Sequence, residues 1–436
     1  MRRQFIVVSV LSGLAQAAGF LKLWLTARLF GVGAELDGYY LALVVPTLVS
    51  GLVSGVLQTA LFPVRARLAA EADSAETGSS GADTGRVARF ERGVLVVLAL
   101  AGLLAFGLLL AAAGPILALT EGHSAPAVHE AALLVLPFAL LLIPLNAVGD
   151  CLGYLLAMRQ RYPAAAAAPI ANAAFGTFLL AVWPEGGLLN LAIGTAGGLV
   201  LQVAICAAAL RRTGFALFGA LPARREAAGE WREMIRIAAW IVPGVAFANL
   251  TATLPTVFVA AHGEGAVSAF GYAWRFHQFA IQLLIMAASP VLLAHFSGLV
   301  AAGDEGALRR LLRKSVLFSA ALGLFAVAAV AFAGGPALQV VFGGRFDAAA
   351  ASRVAEHWFW LSLGLGPALL GSILAKVWQA RGRAGLMTGL AGLGLATFLL
   401  SQHLLAGLLG PFAVPAAIGV SSLAVLLAGW QSAWNG

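Results

Sequence analysis

Long apolar stretches constrain the fold of this chain more than any other feature. A helix needs about 20 consecutive apolar residues to cross roughly 30 Å of hydrocarbon, and stretches of this length can be read about twelve times along the sequence. Of the 436 residues, 61% are hydrophobic and 11% are charged, whereas soluble domains carry about 25% charged residues. The sequence therefore predicts an all-α polytopic membrane protein with about 12 transmembrane helices.

The predicted spans follow one another with short connections, and the 51 glycines suit close packing of helices in lipid. An apolar run that continues to Phe30 predicts an uncleaved first helix rather than a signal peptide. The spans cover residues 5–30, 38–62, 93–119, 131–158, 164–183, 187–210, 237–261, 266–296, 315–338, 354–378, 384–408 and 412–434.

The basic residues are distributed unevenly between the two sets of connections. Short cytoplasmic loops hold most Lys and Arg of membrane proteins. Most of the 27 Lys and Arg fall on one set, which includes residues 211–236 and 309–314, while Arg28, Arg345 and Arg353 fall on the other. This pattern predicts a multi-pass protein of the cytoplasmic (inner) membrane with both termini in the cytoplasm. Membrane orientation accounts for the net charge of +8, so no nucleic-acid partner is expected.

The arginine-rich stretch at 211–236 divides the predicted spans into two groups. We predict an N-terminal six-helix bundle over residues 1–210, this stretch as a basic cytoplasmic connector, and a C-terminal six-helix bundle over residues 237–436. Transporters with parallel repeats relate such bundles by an axis along the membrane normal. A Trp/Met/Ile stripe near Trp231 suits an amphipathic segment on the anionic inner leaflet, and an ordinary basic connector fits equally well.

Two cations, Lys22 and Arg275, lie deep inside apolar spans. A cation in hydrocarbon costs about 2.5–3.5 kcal/mol, so it normally faces a wet cavity or a partner. Counted from the outer helix ends, both lie roughly 12–13 Å below the outer surface. The two side chains could hold one phosphate or pyrophosphate, the arginine through its planar fork and the lysine as a point charge. Alternatively, Lys22 could snorkel outward, and His277 or Gln278 could help to neutralise Arg275 through water.

Other polar side chains in or beside the spans extend this predicted substrate cleft. Gln16 lies six residues before Lys22 on the first span, close to the same face. Asn249 is a further candidate, although amides in membrane helices also serve as interhelical hydrogen-bonding groups. Asp37 borders the outer end of the second span and could pair with Arg28 or with the cleft cations.

Asp150 is the only carboxylate that the sequence places clearly within a span. It could couple transport to a proton or cation, or it could pair with Arg159 or Arg161. Cys151 and Cys206 fall inside predicted helices without metal-type spacing, so neither a disulfide nor a metal site is expected. The sequence contains no HExxH, P-loop or nucleophile-elbow motif. We therefore expect no enzyme activity and no cofactor.

Several short segments carry a family resemblance that spans most of the chain. They are ARLFG at 27–31, LDGYYLA at 36–42, LFPV at 61–64, VSAFGYAWRFHQF at 267–279, VVFGGRFD at 340–347 and LGLGPALLGSILAKVWQARGR at 363–383. In this order and spacing they resemble the lipid II flippases of the MurJ/MviN type. The resemblance implies the multidrug/oligosaccharidyl-lipid/polysaccharide exporter superfamily, with two six-helix bundles in a V shape, alternating access and no nucleotide hydrolysis.

The resemblance also implies roles for particular residues. Arg275 matches a helix 8 arginine thought to meet the substrate diphosphate, and Asp37 matches the acidic residue that opens helix 2. Gln16 and Lys22 stand where the family has two arginines, and the helix 2 arginine expected near Ser50 is absent. Family members also carry two further C-terminal helices, thought to extend a groove for the lipid tail, which the sequence ending near residue 434 lacks.

The main functional expectation is a flippase that moves a polyprenyl-(pyro)phosphate-linked saccharide across the cytoplasmic membrane by alternating access. The saccharide would be lipid II or an exopolysaccharide repeat unit. Membrane lipids and envelope-synthesis enzymes are the expected partners. One alternative is a cation-coupled exporter of soluble drugs or metabolites, with Asp150 as its coupling site. Another is a non-transporting scaffold in an envelope-synthesis complex.

Overall fold

The computed structural model describes residues 2–75, 82–121, 124–223 and 227–434. The described residues are 90% helical and contain no strand. Their α-helices are α1 (Arg2–Phe30), α2 (Ala34–Ala75), α3 (Ala82–Ala111), α4 (Ala113–Glu121), α5 (Pro126–Leu140), α6 (Leu142–Met158), α7 (Tyr162–Val182), α8 (Gly187–Arg211), α9 (Ala228–Ala260), α10 (Ala266–Ala302), α11 (Glu305–Phe342), α12 (Ala348–Ser362), α13 (Leu365–Ala380), α14 (Ala384–Leu409) and α15 (Ala413–Trp434). Short 3₁₀ turns lie at Pro184–Gly186 and Gly410–Phe412.

Each predicted span corresponds to one helix or to two consecutive helices. Within the described residues, nine helical segments are long and apolar enough to cross a membrane. The pair α12 and α13, bent by 48°, would make a tenth span. Several helices extend well beyond the predicted spans. For example, α2 continues to Ala75 and α11 begins at Glu305. The predicted all-α, multi-pass membrane class is confirmed.

The chain divides into two compact units. Unit 1 comprises Met1–Leu29, Ala42–Thr120 and His129–Pro243, and unit 2 comprises Phe30–Leu41, Glu121–Val128 and Gly244–Gly436. The bundle and connector boundaries proposed from the sequence stay predictions.

Unit 1 packs its helices through glycines. A Cβ atom at Gly102 of α3 would lie 2.7 Å from the Cα of Pro144 on α6. A Cβ atom at Gly194 of α8 would lie 3.0 Å from the Cα of Gly176 on α7. Without side chains at these crossings the helix backbones approach closely, which is how helices associate in lipid.

Glycines also bring the helices of unit 2 together. A Cβ atom at Gly364, just before α13, would lie 2.7 Å from the Cα of Gly419 on α15. A Cβ atom at Gly323 of α11 would lie 3.0 Å from the Cα of Gly366 on α13. These contacts make α13 a shared neighbour of α11 and α15.

The segment that precedes α9 belongs to unit 1 and packs against α3. Arg92 donates to two backbone carbonyls of residues 212–223, at 3.0 and 3.3 Å, and Phe215 is buried. The first turns of α9 carry Trp231, whose ring centroid lies 5.6 Å from that of Phe90. The sequence left open whether Trp231 lies on the inner leaflet or in an ordinary connector. In the structure its side chain contacts the protein core.

Candidate functional site

Lys22 is held at the crossing of α7 and α8 in unit 1. Its Nζ donates to the Thr195 hydroxyl at 2.9 Å, and that hydroxyl donates to the Leu191 carbonyl at 2.8 Å. A Cβ atom at Gly176 would lie only 3.0 Å from the lysine Cε and 3.1 Å from its Nζ. The missing side chain at Gly176 therefore makes room for a half-buried ammonium group inside the unit.

Arg275 lies on α10 in unit 2, and its side chain is exposed. The guanidinium carbon sits 5.1 Å from the centroid of the Tyr40 ring, a distance at which a cation is attracted by the ring face. Tyr272 and Tyr39 meet Tyr40 edge-on, with ring centroids 6.4 and 5.5 Å away. Among the residues that the structure describes, no carboxylate pairs with Arg275.

Asp37 caps the N-terminus of α10 from the first turn of α2, all within unit 2. Its side chain is 1% exposed, and its two oxygens accept the backbone N–H groups of Gly265 and Ser268, each at 2.6 Å. The Gly33 N–H in turn donates to the Ser268 hydroxyl at 3.2 Å. In this conformation both oxygens of Asp37 are therefore used by backbone donors.

Two other polar side chains make contacts within their own helices. The guanidinium carbon of Arg28 lies 5.4 Å from the centroid of the Trp24 ring. Asn249 donates to the Val245 carbonyl of the preceding turn of its own helix at 2.9 Å. Such local bonding is common for short polar side chains in helices.

The structure distributes the five predicted cleft residues over both units. Gln16, which is half-buried, and Lys22 belong to unit 1, while Asp37, Asn249 and Arg275 belong to unit 2. Within unit 2, Asp37 lies three residues before Tyr40 on α2, and the Arg275 guanidinium contacts the Tyr40 ring. The common cleft for Lys22 and Arg275 stays a prediction.

Asp150 lies on α6 among hydroxyl groups. The Ser54 side chain of α2 lies beside the Asp150 carboxylate and hydrogen-bonds with the Tyr154 hydroxyl at 3.1 Å. Arg159, one of the two partners considered for Asp150, pairs with Glu91 instead. Asp150 is therefore surrounded by neutral hydrogen-bonding groups.

The sequence reasoning missed the carboxylate of Glu91, which is fully buried on α3. It pairs with Arg65 of α2 at 3.1 Å and with Arg159 at the end of α6. The predicted span began at residue 93, two residues too late to include it. An acidic residue flanked by arginines directly before an apolar run was the available signal, because buried charges require partners.

The chain forms two compact helical units with several membrane-length spans, and it carries cations within those spans. These features define a multi-pass membrane transporter of the α-helical class. A family model described as lipid II flippase MurJ matches residues 26–434 of the chain. The chain belongs to the lipid II flippase MurJ family.

Solved structures share this fold at low sequence identity. A lipid II flippase MurJ in the inward closed conformation has a TM-score of 0.83 at 16% identity, covering 98% of this chain and 87% of that one. An inward-facing multidrug resistance MATE family transporter of the MOP superfamily has a TM-score of 0.75 at 15% identity, covering 98% and 97%. A mutant of the Vibrio cholerae MATE transporter VcmN has a TM-score of 0.61 at 15% identity, covering 99% and 98%. The MATE transporters are thus weaker matches than the flippase.

Proposed function

We propose that this chain moves a lipid-linked saccharide, joined to its polyprenyl carrier by phosphate or pyrophosphate, from the inner to the outer leaflet of the cytoplasmic membrane. Membership of the lipid II flippase family supports the reaction class. The basic residues on one set of connections support cytoplasmic termini. The movement occurs by alternating access, with the saccharide headgroup inside the protein and the polyprenyl tail in lipid. Enzymes that make or use the lipid-linked saccharide are the proposed partners.

The observation that carries this proposal is that Arg275 has no carboxylate partner among the described residues. An arginine in a membrane-spanning helix without a carboxylate partner is expected to serve a substrate or ion pathway. Stacking on Tyr40 occupies one face of the guanidinium and leaves its N–H edge for a ligand. That planar edge matches two oxygens of one phosphate, and such bidentate contacts are strong. We assign Arg275 to the phosphate groups that join the saccharide to its carrier.

Lys22 supplies the second positive charge. Its ammonium group donates to the Thr195 hydroxyl, and this bond positions the positive charge for an anionic headgroup. Gln16 on the same helix is assigned to the polar part of the headgroup. Asn249 is assigned a weaker, indirect part, because its amide is already bonded to its own helix.

Asp37 contributes to the site by positioning a helix. Because both of its oxygens hold the start of α10, it fixes the helix that carries Arg275, two and a half turns further on. We therefore assign Asp37 to positioning Arg275 and not to direct contact with the substrate.

The test is a leaflet-accessibility assay with labelled lipid II in proteoliposomes. Wild type is expected to move lipid II to the opposite leaflet, Arg275→Ala to lose most of that activity, and Arg275→Lys to keep part of it. Arg313→Ala, an exposed arginine on α11, is the matched control and should behave as wild type.

Full activity of Arg275→Ala would overturn the proposal. The rival function, cation-coupled export of soluble drugs or metabolites, predicts a different pattern. It requires substrate efflux that depends on Asp150 and does not depend on Arg275.

A further inference from the structure

Polar side chains of α2 and α6 form a ladder inside unit 1. Asn146, Asp150 and Tyr154 follow one another at intervals of four residues, so they share one face of α6. Ser50 and Ser54 are spaced in the same way on α2. The Asn146 amide donates to the Ser50 hydroxyl at 3.3 Å. One turn further, Ser54 hydrogen-bonds with Tyr154 at 3.1 Å and lies beside Asp150. We define these five side chains as the α2–α6 ladder.

The ladder carries no positive charge. All five side chains are half-buried. Apart from Tyr154, the titratable groups within electrostatic range of Asp150 in the described part of the chain are the thiols of Cys151 on its own helix and Cys206 on α8. No lysine or arginine pairs with Asp150 in the part of the chain that the structure describes.

The carboxylate of Glu91 on α3 pairs with two arginines. Its two oxygens contact Arg65 and Arg159. Arg159 lies nine residues beyond Asp150, roughly 13 Å along the helix axis. An isolated carboxylate in a membrane-spanning helix is stabilised when it takes up a proton or a cation.

The hydrogen-bond order within the ladder favours the proton. The Tyr154 and Ser54 hydroxyls are hydrogen-bonded to each other at 3.1 Å, and Ser54 lies beside the Asp150 carboxylate. Tyr154 lies four residues from the end of α6 at Met158, about 6 Å along the axis, and Asp150 lies about 12 Å from it. In the proposed orientation this end of α6 faces the cytoplasm, so these groups run from the aqueous side inward.

We propose that the α2–α6 ladder is a proton-binding site, in which Asp150 takes up and releases one proton and Ser54 and Tyr154 relay it. On uptake, water gives a proton to the Tyr154 oxygen, the tyrosine O–H proton passes to the Ser54 oxygen, and the serine O–H proton passes to the carboxylate. No electrons are exchanged, and the two hydroxyls end with one proton each, as they began. Asn146 and Ser50 hold the register of the two helices. The use of this proton to drive lipid movement rests on the proposed flippase function.

Infrared difference spectroscopy of the whole protein, recorded while the pH is changed, tests the site without any substrate. Wild type should show the C=O stretching band of a carboxyl group that gains a proton as the pH falls. Asp150→Asn should lose that band, and Ser54→Ala should move it to higher wavenumber because the carboxyl loses a hydrogen-bond partner. Ser422→Ala is the matched control, since its hydroxyl bonds only to the Ile418 carbonyl of its own helix at 3.0 Å.

An unchanged band in Asp150→Asn would overturn the proposal. A band that responds to replacing potassium with sodium at constant pH would also overturn it, in favour of a sodium site.

The transport consequence is tested separately in proteoliposomes with labelled lipid II and an imposed pH gradient. Wild type should move lipid II several-fold faster with the gradient than without it, and Asp150→Asn should lose this acceleration. Equal acceleration in both proteins would reject the coupling. If wild type does not move lipid II at all, the proposed function fails, and the infrared titration still decides whether Asp150 binds a proton.

Discussion

Asp37 and Asp304 both cap a helix, but only Asp37 does so out of contact with solvent. Asp304 is exposed and accepts one N–H from Ala307 at 2.8 Å, whereas Asp37 accepts two buried N–H groups. Loss of a helix cap costs about 1 kcal/mol, and leaving buried donors without partners costs about 2 kcal/mol more. We expect Asp37→Ala to lower the free energy of unfolding, measured by thermal or SDS denaturation, clearly more than Asp304→Ala. Equal losses would contradict the buried cap.

The sequence alone identified charged residues within membrane spans as candidate site residues. It did not identify the groups that these residues contact in the structure. Lys22 and Arg275 stood out because a charge in an apolar stretch is conspicuous. The partners of Asp37 lie 228 and 231 residues away along the chain, so no local pattern indicates them. Glu91 was overlooked because hydropathy alone placed the start of its helix too late.

At the scale of helix pairs, Gly176 and Gly194 provide a matched test of the contact between α7 and α8. A Cβ atom at Gly194 would meet backbone, the Cα of Gly176, at 3.0 Å. A Cβ atom at Gly176 would first meet the flexible end of Lys22 at 3.0 Å. Overpacking against backbone costs about 1–3 kcal/mol. We expect Gly194→Ala to lower stability and Gly176→Ala mainly to lower lipid II transport by displacing the ammonium group.

The two glycine variants separate stability from function. Thermal denaturation and the leaflet-accessibility assay, applied to both, provide the measurement. Wild-type transport in Gly176→Ala would show that the position of Lys22 against α7 does not matter.

Glu91 joins three helices through charge. Removing one partner from a buried ion pair costs about 3 kcal/mol or more, although Arg65 and Arg159 are 23% and 19% exposed and water reduces the loss. The exposed pair between Arg67 and Glu71, four residues apart on α2, is worth less than about 0.5 kcal/mol. We therefore expect Glu91→Gln to lower the unfolding free energy several times more than Glu71→Gln in the same denaturation assay. Similar effects would mean that water already screens the Glu91 cluster.

Helix number and type could be predicted from the sequence, whereas several helix ends and breaks could not. Apolar runs locate the spans, since every backbone group must be bonded within lipid. The break between α5 and α6 follows Pro137 by four residues, and the predicted span at 131–158 ran through it. The polar ends of α2 and α11 continue as helices outside the apolar runs, where hydropathy carries no signal.

For the whole molecule, the proposed function assigns two cations, Lys22 and Arg275, to the phosphates of one substrate. Charge-assisted contacts to phosphate are stronger than neutral ones, and residues that share a ligand group show non-additive effects when both are changed. Removing either charge should therefore weaken binding of the same phosphates. This expectation separates a phosphate site from two independent structural cations.

The most direct measurement is the affinity of the purified protein for lipid II and for an uncharged polyprenyl-linked saccharide, in wild type, Lys22→Met, Arg275→Met and the double variant. Each single variant should bind lipid II about tenfold more weakly, a change of about 1.4 kcal/mol. The double variant should lose less than the sum of the two changes, and all four proteins should bind the uncharged lipid equally. Unchanged affinity for lipid II in both single variants, or equal losses for the charged and uncharged lipids, would contradict the account.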